Sequence, residues 1–295
     1  MPELPDVTVY VEHLERRLIG QPLERVRISG LNLLRTFEPS PDDAVGHPVR
    51  SVRRLGKRIV TGFEGGLFFV LHLMIAGRLH WKERGATAAG KVGLAAFDFP
   101  HGTLTLTEAG TKKRAGLHVV QGEAAVHALD PGGIEPLTCT LKQFEAALTQ
   151  ESHTLKRALT DPHYFSGIGN AYSDEILHRA KLSPLALSTR LDAGETKRLW
   201  QATRTVLVEW TDRLRAQFGD EFPEKVTAFR PEMAVHGKYR KPCPVCGAPV
   251  QRIVYASNET NYCARCQTGG RLLADRSLSR LLKSDWPRTL EELAD

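Results

Sequence analysis

Apolar residues recur at a spacing near 3.6 in VTVYVEHLERRLIG, and the run closes on Gly20, so a helix is predicted at the start of the chain. The pattern then changes. RRLGKRIVTGF, GGLFFVLHLMIAGRLHW and GTLTLTEAG set β-branched and aromatic residues between glycine turns, which predicts strands through most of residues 1–125. LDPGGIEPL, residues 129–137, concentrates turn formers and marks a boundary. Beyond it LKQFEAALTQ, HTLKRALTD, NAYSDEILHRAKL and ETKRLWQATRTVLVEWTDRLRAQ return to helical spacing over roughly residues 140–217, and GDEFPEKVTAFRPEM reads as a loop. The expected organisation is a β-rich domain at 1–125, a linker at 126–139, a helical domain at 140–235, a cysteine module at 236–268 and a tail at 269–295. In the tail, Leu272, Leu273, Leu278, Leu281 and Leu282 suggest the apolar face of an amphipathic helix. The predicted class is α+β.

With 41% hydrophobic and 25% charged residues, a chain of 295 residues has the composition of a globular protein with enough apolar material for two domains. No run approaches the ~20 apolar residues of a membrane helix, and MPELPDVTVY lacks the layout of a secretory signal. A cytoplasmic monomer with no membrane partner is expected. The formal net charge of +6 fits a polyanionic partner without singling one out.

The five cysteines are too few and too clustered for a disulfide framework. Cys139, in LTCTL, reads as a small buried apolar residue. Cys243 and Cys246 form one CxxC, and sixteen residues later Cys263 and Cys266 form another, the spacing of a tetrahedral four-thiolate site. Such a site has no open position, so one structural zinc is expected, with a rubredoxin-like iron centre as the alternative. Between the pairs, GAPVQRIVYASNETNY predicts a hairpin turning at ASNE.

Three separated segments, MPELPD, TLKRALTDPHYFSGIGNAYSDEIL and the four-cysteine module, stand in an order that resembles the formamidopyrimidine-DNA glycosylase/endonuclease VIII family along nearly the whole chain. The resemblance implies an N-terminal β-sandwich-like domain opened by a helix, a helix–two-turn–helix domain and a zinc-finger hairpin. It implies a nucleophile as well: removal of Met1 exposes Pro2, whose secondary amine attacks C1′ of a damaged nucleotide and forms an iminium. An α-amino group has a reference pKa near 8, so an appreciable fraction is free base at neutral pH. By the same resemblance Glu3 is the general acid and base, and Lys57 reaches the phosphate beside the lesion from a predicted strand that follows Arg53 and Arg54. The resemblance further implies that Lys156, Gly167, Gly169 and Asn170 contact phosphate from the helical element, where Glu175 and the DPHYF turn also match the family layout.

The sequence also departs from the family pattern. Asp6 stands where a second glutamate is common, and Ile75 replaces the methionine wedged into the space left by the everted nucleotide. In TKKRAGL, Lys113, Arg114 and Ala115 replace two arginines and a phenylalanine, which implies altered selectivity for the opposite base. Asn258 aligns with the hairpin-tip arginine, and Glu259 beside it would repel DNA, leaving Arg252 or Lys238 to help hold the backbone.

The reading that follows is a DNA-repair glycosylase with abasic-site lyase activity, expected to excise a damaged, oxidised base from double-stranded DNA of the nucleoid through a Schiff base at the N-terminal proline and to cleave the strand by β/δ-elimination. The alternative is a catalytically weak or inactive member that binds damaged or unusual DNA structure. A zinc-ribbon adaptor for protein partners would leave MPELPD unexplained.

Overall fold

The computed structural model describes residues 1–88, 90–227, 229–255, 258–274 and 287–292. They form two compact units, one of residues 1–131 with 210–228 and one of residues 132–209 with 229–295.

The first unit opens with α1 (Leu4–Leu18), which carries Pro5 in its first turn, where a missing N–H costs nothing, and Arg16 and Arg17 in its last, where they complement the helix dipole. Gly20 follows with φ of 78°, so the predicted stop is realised two residues beyond the helix. The strands are β1 (Arg25–Ile28), β2 (Val49–Leu55), β3 (Arg58–Phe63), β4 (Leu67–His72), β5 (Gly77–Lys82), β6 (Gly93–Phe99), β7 (Gly102–Glu108) and β8 (Gly116–Gln121). They make two antiparallel four-stranded sheets, ordered β1-β6-β7-β5 and β2-β3-β4-β8. One core joins them, with Leu79, Phe97 and Leu106 from the first sheet, Ile59, Phe69 and Leu117 from the second, and Tyr10, Leu14 and Leu18 of α1. Shortening Leu14, 1% exposed, to alanine would cost roughly 2–5 kcal/mol.

β4 is buried on both faces, which explains its unbroken apolar run LFFVL. Phe68 and Val70, on the face away from the main core, are covered by Val126 of α2 (Glu123–His127) and by Leu129. These residues, expected at the start of a linker, therefore take part in packing.

The second unit contains α3 (Leu141–Thr149), α4 (Leu155–Thr160), α5 (Asn170–Ala180), the hairpin β9 (Gln251–Tyr255) and β10 (Asn258–Tyr262), and α7 (Ala264–Thr268). Thr140 and Thr154 cap α3 and α4 by accepting the N–H groups of Gln143 and Arg157. The long α6 (Ala193–Phe218) gives its first part to the second unit and its last part to the first. Residues 210–228, expected within the helical domain, fold with the β-rich unit because their side chains find partners there. Phe222 packs on Tyr10 at 5.8 Å between ring centroids, with the Arg17 guanidinium 5.4 Å from its own ring centre. Arg215 grips the Glu12 carboxylate at 2.6–3.1 Å, and Val226 is buried in the core.

Leu272 and Leu273 are buried against Tyr262 and Ala264, and residues 288–290 return alongside 270–272. The rest of the predicted tail helix, including Leu278, Leu281 and Leu282, lies outside the described residues, as does the Ala256–Ser257 part of the hairpin turn.

Burial, reinforced by Arg16 and Arg17, lowers His13 to about 4, and burial beside Arg58 and Lys57 lowers His72 to about 4. Both stay neutral when folded and take up protons near their ordinary 6.5 when unfolded, so the stability they contribute is complete above pH 6.5 and is lost as pH falls toward 4. Denaturant unfolding should therefore show a loss on the order of 1 kcal/mol per histidine between pH 7 and pH 5, reduced in His13→Gln. An identical pH dependence in the variant would remove His13 from this account.

Candidate active site and zinc centre

The chain's first residues are fixed by how α1 begins. Asp6 Oδ2 accepts the backbone N–H of Glu3 at 3.0 Å, closing a capping box at the helix N-terminus. Pro2 is buried, and Glu3 and Asp6 are each 2% exposed, so the segment is held inside the unit and cannot fray. Asp6, shorter than the family glutamate, is thus engaged in holding the backbone of Glu3. Burial lowers the α-amino group of Met1 below its ordinary 8.0. Arg78 and Lys57 lower it further, while Glu3 and Asp6 oppose them.

Lys57 does not lie on a strand. It occupies the two-residue turn between β2 and β3, where Leu55 pairs with Arg58 and Gly56 takes φ of 59°, the conformation such hairpins demand of their first turn residue. Arg54 Nη1 donates to the Gly56 carbonyl at 2.9 Å and stiffens the turn. The turn between β4 and β5 carries Ile75, 59% exposed. Its shape is set by Gly77, at which any Cβ would collide with the Leu73 carbonyl, and by Met74 at φ of 53°. His72 Nδ1 accepts the Met74 N–H at 3.2 Å, which requires a neutral ring, and Arg78 donates to the carbonyls of Ile75 and Gly77 at 3.2 and 2.6 Å. Pro2, Glu3 and Lys57 thus share one neighbourhood with two residues that sequence reasoning missed, His72 and Arg78. Both sit in HLMIAGRL, whose tight glycine turn was the available signal.

The loop between β7 and β8 is folded back on itself. The Glu108 carboxylate, 2% exposed, accepts the N–H groups of Arg114 and Ala115 at 2.9 and 3.1 Å, and Lys113 Nζ donates to the Glu108 carbonyl. Ala115 is buried in the core and offers no surface wedge, whereas the Arg114 side chain is exposed.

In the second unit two adjacent carboxylates of α5 organise the surroundings. Asp174, wholly buried, accepts from Lys156 Nζ at 2.5 Å, His236 Nδ1 at 2.8 Å and the Asn261 N–H at 3.2 Å. Glu175 accepts the backbone N–H groups of Ala234, Val235 and His236 at 2.8–2.9 Å. Lys156 also donates to the Asn170 carbonyl at 2.7 Å, and Asn170 Nδ2 donates to the Glu259 carbonyl at 2.9 Å. Of the two candidate glycines, Gly167 uses the left-handed region at φ of 80°, while Gly169 is extended and precedes α5. The backbone of Asn258 pairs with Tyr255 at the end of the hairpin. Glu259 is not a bare repulsive charge, because Arg252 pairs with it at 3.1 Å.

The sulfurs of Cys243, Cys246, Cys263 and Cys266 all lie within 4.8 Å of one another, with Cys246–Cys263 at 3.4 Å and Cys243–Cys266 at 3.9 Å. A tetrahedral zinc with Zn–S bonds of about 2.3 Å places its sulfurs about 3.8 Å apart, so the donor set and the spacing fit. Burial pushes the Cys263 thiol up to about 11 and Cys266 higher still, so these two become thiolates at neutral pH only with a cation among them. The zinc is structural. His178 of α5, unremarked in the sequence, has Nε2 3.3 Å from Cys243 Sγ. A metal-bound thiolate can only accept, so this nitrogen carries the proton and donates.

Three family descriptions match in chain order: the formamidopyrimidine-DNA glycosylase N-terminal domain over residues 1–114, its H2TH domain over 133–213, and the zinc finger found in FPG and IleRS over 240–269. The formamidopyrimidine-DNA glycosylase of Heliobacterium modesticaldum is 31% identical over 278 residues, covering 90% of this chain and 100% of the relative. The chain belongs to the formamidopyrimidine-DNA glycosylase family. The enzyme of that name from Thermus thermophilus is likewise 31% identical, over 92% of this chain and all of its own. An uncharacterized formamidopyrimidine-DNA glycosylase-like protein of Mycobacterium tuberculosis is 39% identical over 162 residues, 55% of this chain and 99% of its own. In structure, this family member superposes on the MutM (Fpg) protein of Thermus thermophilus with a TM-score of 0.76 at 29% identity, covering 90% of this chain and 98% of the other. The fold also matches Lactococcus lactis Fpg complexed with DNA containing an abasic site, at a TM-score of 0.78, 22% identity, and 90% and 99% coverage. Among the described residues no helix is long and apolar enough to cross a membrane.

The hydrogen bond from His178 to Cys243 predicts a measurable hold on the metal. Zinc release to a competing chelator should be about 10–100-fold more favourable in His178→Ala than in the parent protein. Equal release from both would show that the bond contributes nothing to metal retention.

Proposed function

We propose that the chain is a bifunctional DNA glycosylase and abasic-site lyase that works on damaged duplex DNA of the nucleoid, in the cytoplasm, with Pro2 as nucleophile after removal of Met1. The observation that carries the proposal is the setting of the chain's amino end: the Met1 amine, under the charges of Glu3, Asp6, Lys57 and Arg78, is held by burial below the ordinary 8.0, and removal of Met1 would expose the amine of the buried Pro2 beside the same groups. A lowered pKa leaves more free base at neutral pH, and only the free base carries the lone pair that attacks C1′. Eversion of the nucleotide precedes chemistry because the sugar carbon is out of reach inside the stack.

As the Pro2 nitrogen bonds to C1′, the base departs with the electrons of its glycosidic bond and takes up a proton. Glu3 protonates either that base or the ring oxygen, and opening of the sugar leaves an iminium at C1′. The iminium accepts the electron pair released when a proton leaves C2′, which expels the 3′ phosphate, and loss of the C4′ proton into the resulting conjugated iminium expels the 5′ phosphate. Water then hydrolyses the iminium and returns Pro2.

Contacts to DNA come from each unit separately. In the first unit Lys57 presents a cation beside the amino end, and Ile75 offers an apolar wedge for the vacated space. Lys113, tied to Glu108, is a shorter-reaching opposite-strand contact, with Arg114 exposed next to it. In the second unit two protein acceptors engage the Lys156 ammonium, which leaves its third donor for a phosphate oxygen, and Asn170 keeps one of its two amide donors. Gly167 and Gly169 let the backbone approach that phosphate, and Asn258 marks the hairpin end.

Borohydride should trap a covalent complex with abasic-site DNA, and Pro2→Gly or a form retaining Met1 should be trapped less. Trapping as efficient as the parent's in either variant would place the nucleophile elsewhere, and none in the parent protein would favour a DNA-binding role without chemistry. The second test is the pH dependence of trapping. Arg78 lowers the pKa of the Met1 amine, and a Pro2 amine exposed next to it would meet the same charge, so Arg78→Met should raise that pKa and move the acid limb to higher pH. An unmoved limb would show that Arg78 does not tune the nucleophile.

A further inference from the structure

The zinc ribbon carries a concentration of positive charge, of which the sequence alone points only to Arg252 or Lys238 as an aid in holding DNA. Residues 236–268 contain five cations, Lys238, Arg240, Lys241, Arg252 and Arg265, against the single carboxylate of Glu259. Two of these cations are turned to internal duties, since Lys238 Nζ donates to the Pro231 carbonyl at 2.8 Å and Arg265 donates to the Cys246 carbonyl at 3.4 Å. Two of the remaining three flank Tyr239. The Arg252 guanidinium lies 4.3 Å from the centre of its ring and that of Arg240 lies 5.2 Å away. The third, Lys241, follows Arg240 directly in the chain. Arg240 and Lys241 are exposed, and neither forms an ion pair with any described residue.

The backbone beneath the stack is a second, independent observation. The Lys241 N–H donates to the Lys238 carbonyl at 2.8 Å, closing a four-residue turn, and Arg240 occupies its third position at φ of 65°. Glycine takes that conformation freely, whereas a long side chain is strained in it, and such strain is found where a side chain has work to do. The turn is anchored to the strand edge on both sides, by Arg240 N–H to the Val250 carbonyl and Val250 N–H to the Lys241 carbonyl, each at 2.9 Å. The charged groups therefore stand on a braced scaffold. Both guanidiniums lie over the Tyr239 ring, and the fork of donors that a guanidinium carries suits bidentate contact with phosphate oxygens.

We infer that Arg240, Lys241 and Arg252, arranged around Tyr239, form a binding site for the sugar–phosphate backbone of duplex DNA. The site supplies from the turn and the first ribbon strand the cations that the neutral Asn258 does not supply at the hairpin end. Arg252 gives the smaller share, because Glu259 already balances its charge. The inference rests on the reading of the chain as a DNA-repair enzyme.

The test uses the zinc-loaded full chain and the double substitution R240G/K241A. Glycine relieves the left-handed position, and zinc content confirms that the ribbon is intact. Affinity is measured across a salt series on a duplex containing an abasic-site analogue and on the same duplex undamaged. A phosphate contact is indifferent to the lesion, so the variant should bind both duplexes several-fold more weakly at low salt, with a log–log slope shallower by about 0.9 for each phosphate no longer neutralised. Unchanged affinity and slope in a variant that retains zinc would overturn the inference while leaving the proposed activity standing. Failure of the parent protein to bind or to be trapped would instead defeat the functional reading itself.

Discussion

A terminal amine can serve as a reactive group only if the end of the chain is as fixed as its interior. The hydrogen bond from the Glu3 N–H to the buried Asp6 carboxylate imposes that constraint here. It makes the first peptide units part of α1, whose apolar face is sealed into the core by Tyr10, Leu14 and Leu18. Everything that tunes the amino end depends on that anchoring: Arg78 and Lys57 act on the amine only because two strand turns and one helix end are packed into a single body. His72 shows the same economy. Its neutral ring braces the Met74 turn that displays Ile75, and its neutrality is itself a product of burial beside Arg58 and Lys57.

The second unit solves a different problem, since a ribbon of this size has too little apolar surface to hold itself. Its own cluster amounts to Val235, Ala248 and Val250 with the metal-binding cysteines. Zinc supplies one constraint and α5 supplies the rest. Glu175 gathers three consecutive N–H groups of the approach to the ribbon, Asp174 reaches His236 and Asn261, and His178 reaches Cys243. Burying two carboxylates side by side is costly unless each is saturated with donors, and both are. The same network acts on the groups proposed to face phosphate: Lys156 is held by Asp174, so its direction is fixed at the expense of part of its charge.

Periodicity and local spacing were enough to establish the α+β class, the order of strand-rich, helical and cysteine-bearing segments, the first helix and the four-thiolate arrangement. Each is carried within a short stretch, where neighbours along the chain are neighbours in space. The candidates at the amino end, Pro2, Glu3 and Lys57, were legible through MPELPD and the resemblance it supports, although Lys57 was placed on a strand when Gly56 puts it on a turn. Which groups meet across long separations was settled by the folded chain alone. Residues 210–228 join the β-rich unit because Phe222 finds Tyr10, Val226 enters the core, and Arg215 reaches Glu12 from 203 positions away. Asp174, His178 and the Tyr239 cation contacts have no local signature, because a buried charge, a sulfur-bonded imidazole and a guanidinium over a ring are defined by partners that periodicity does not encode.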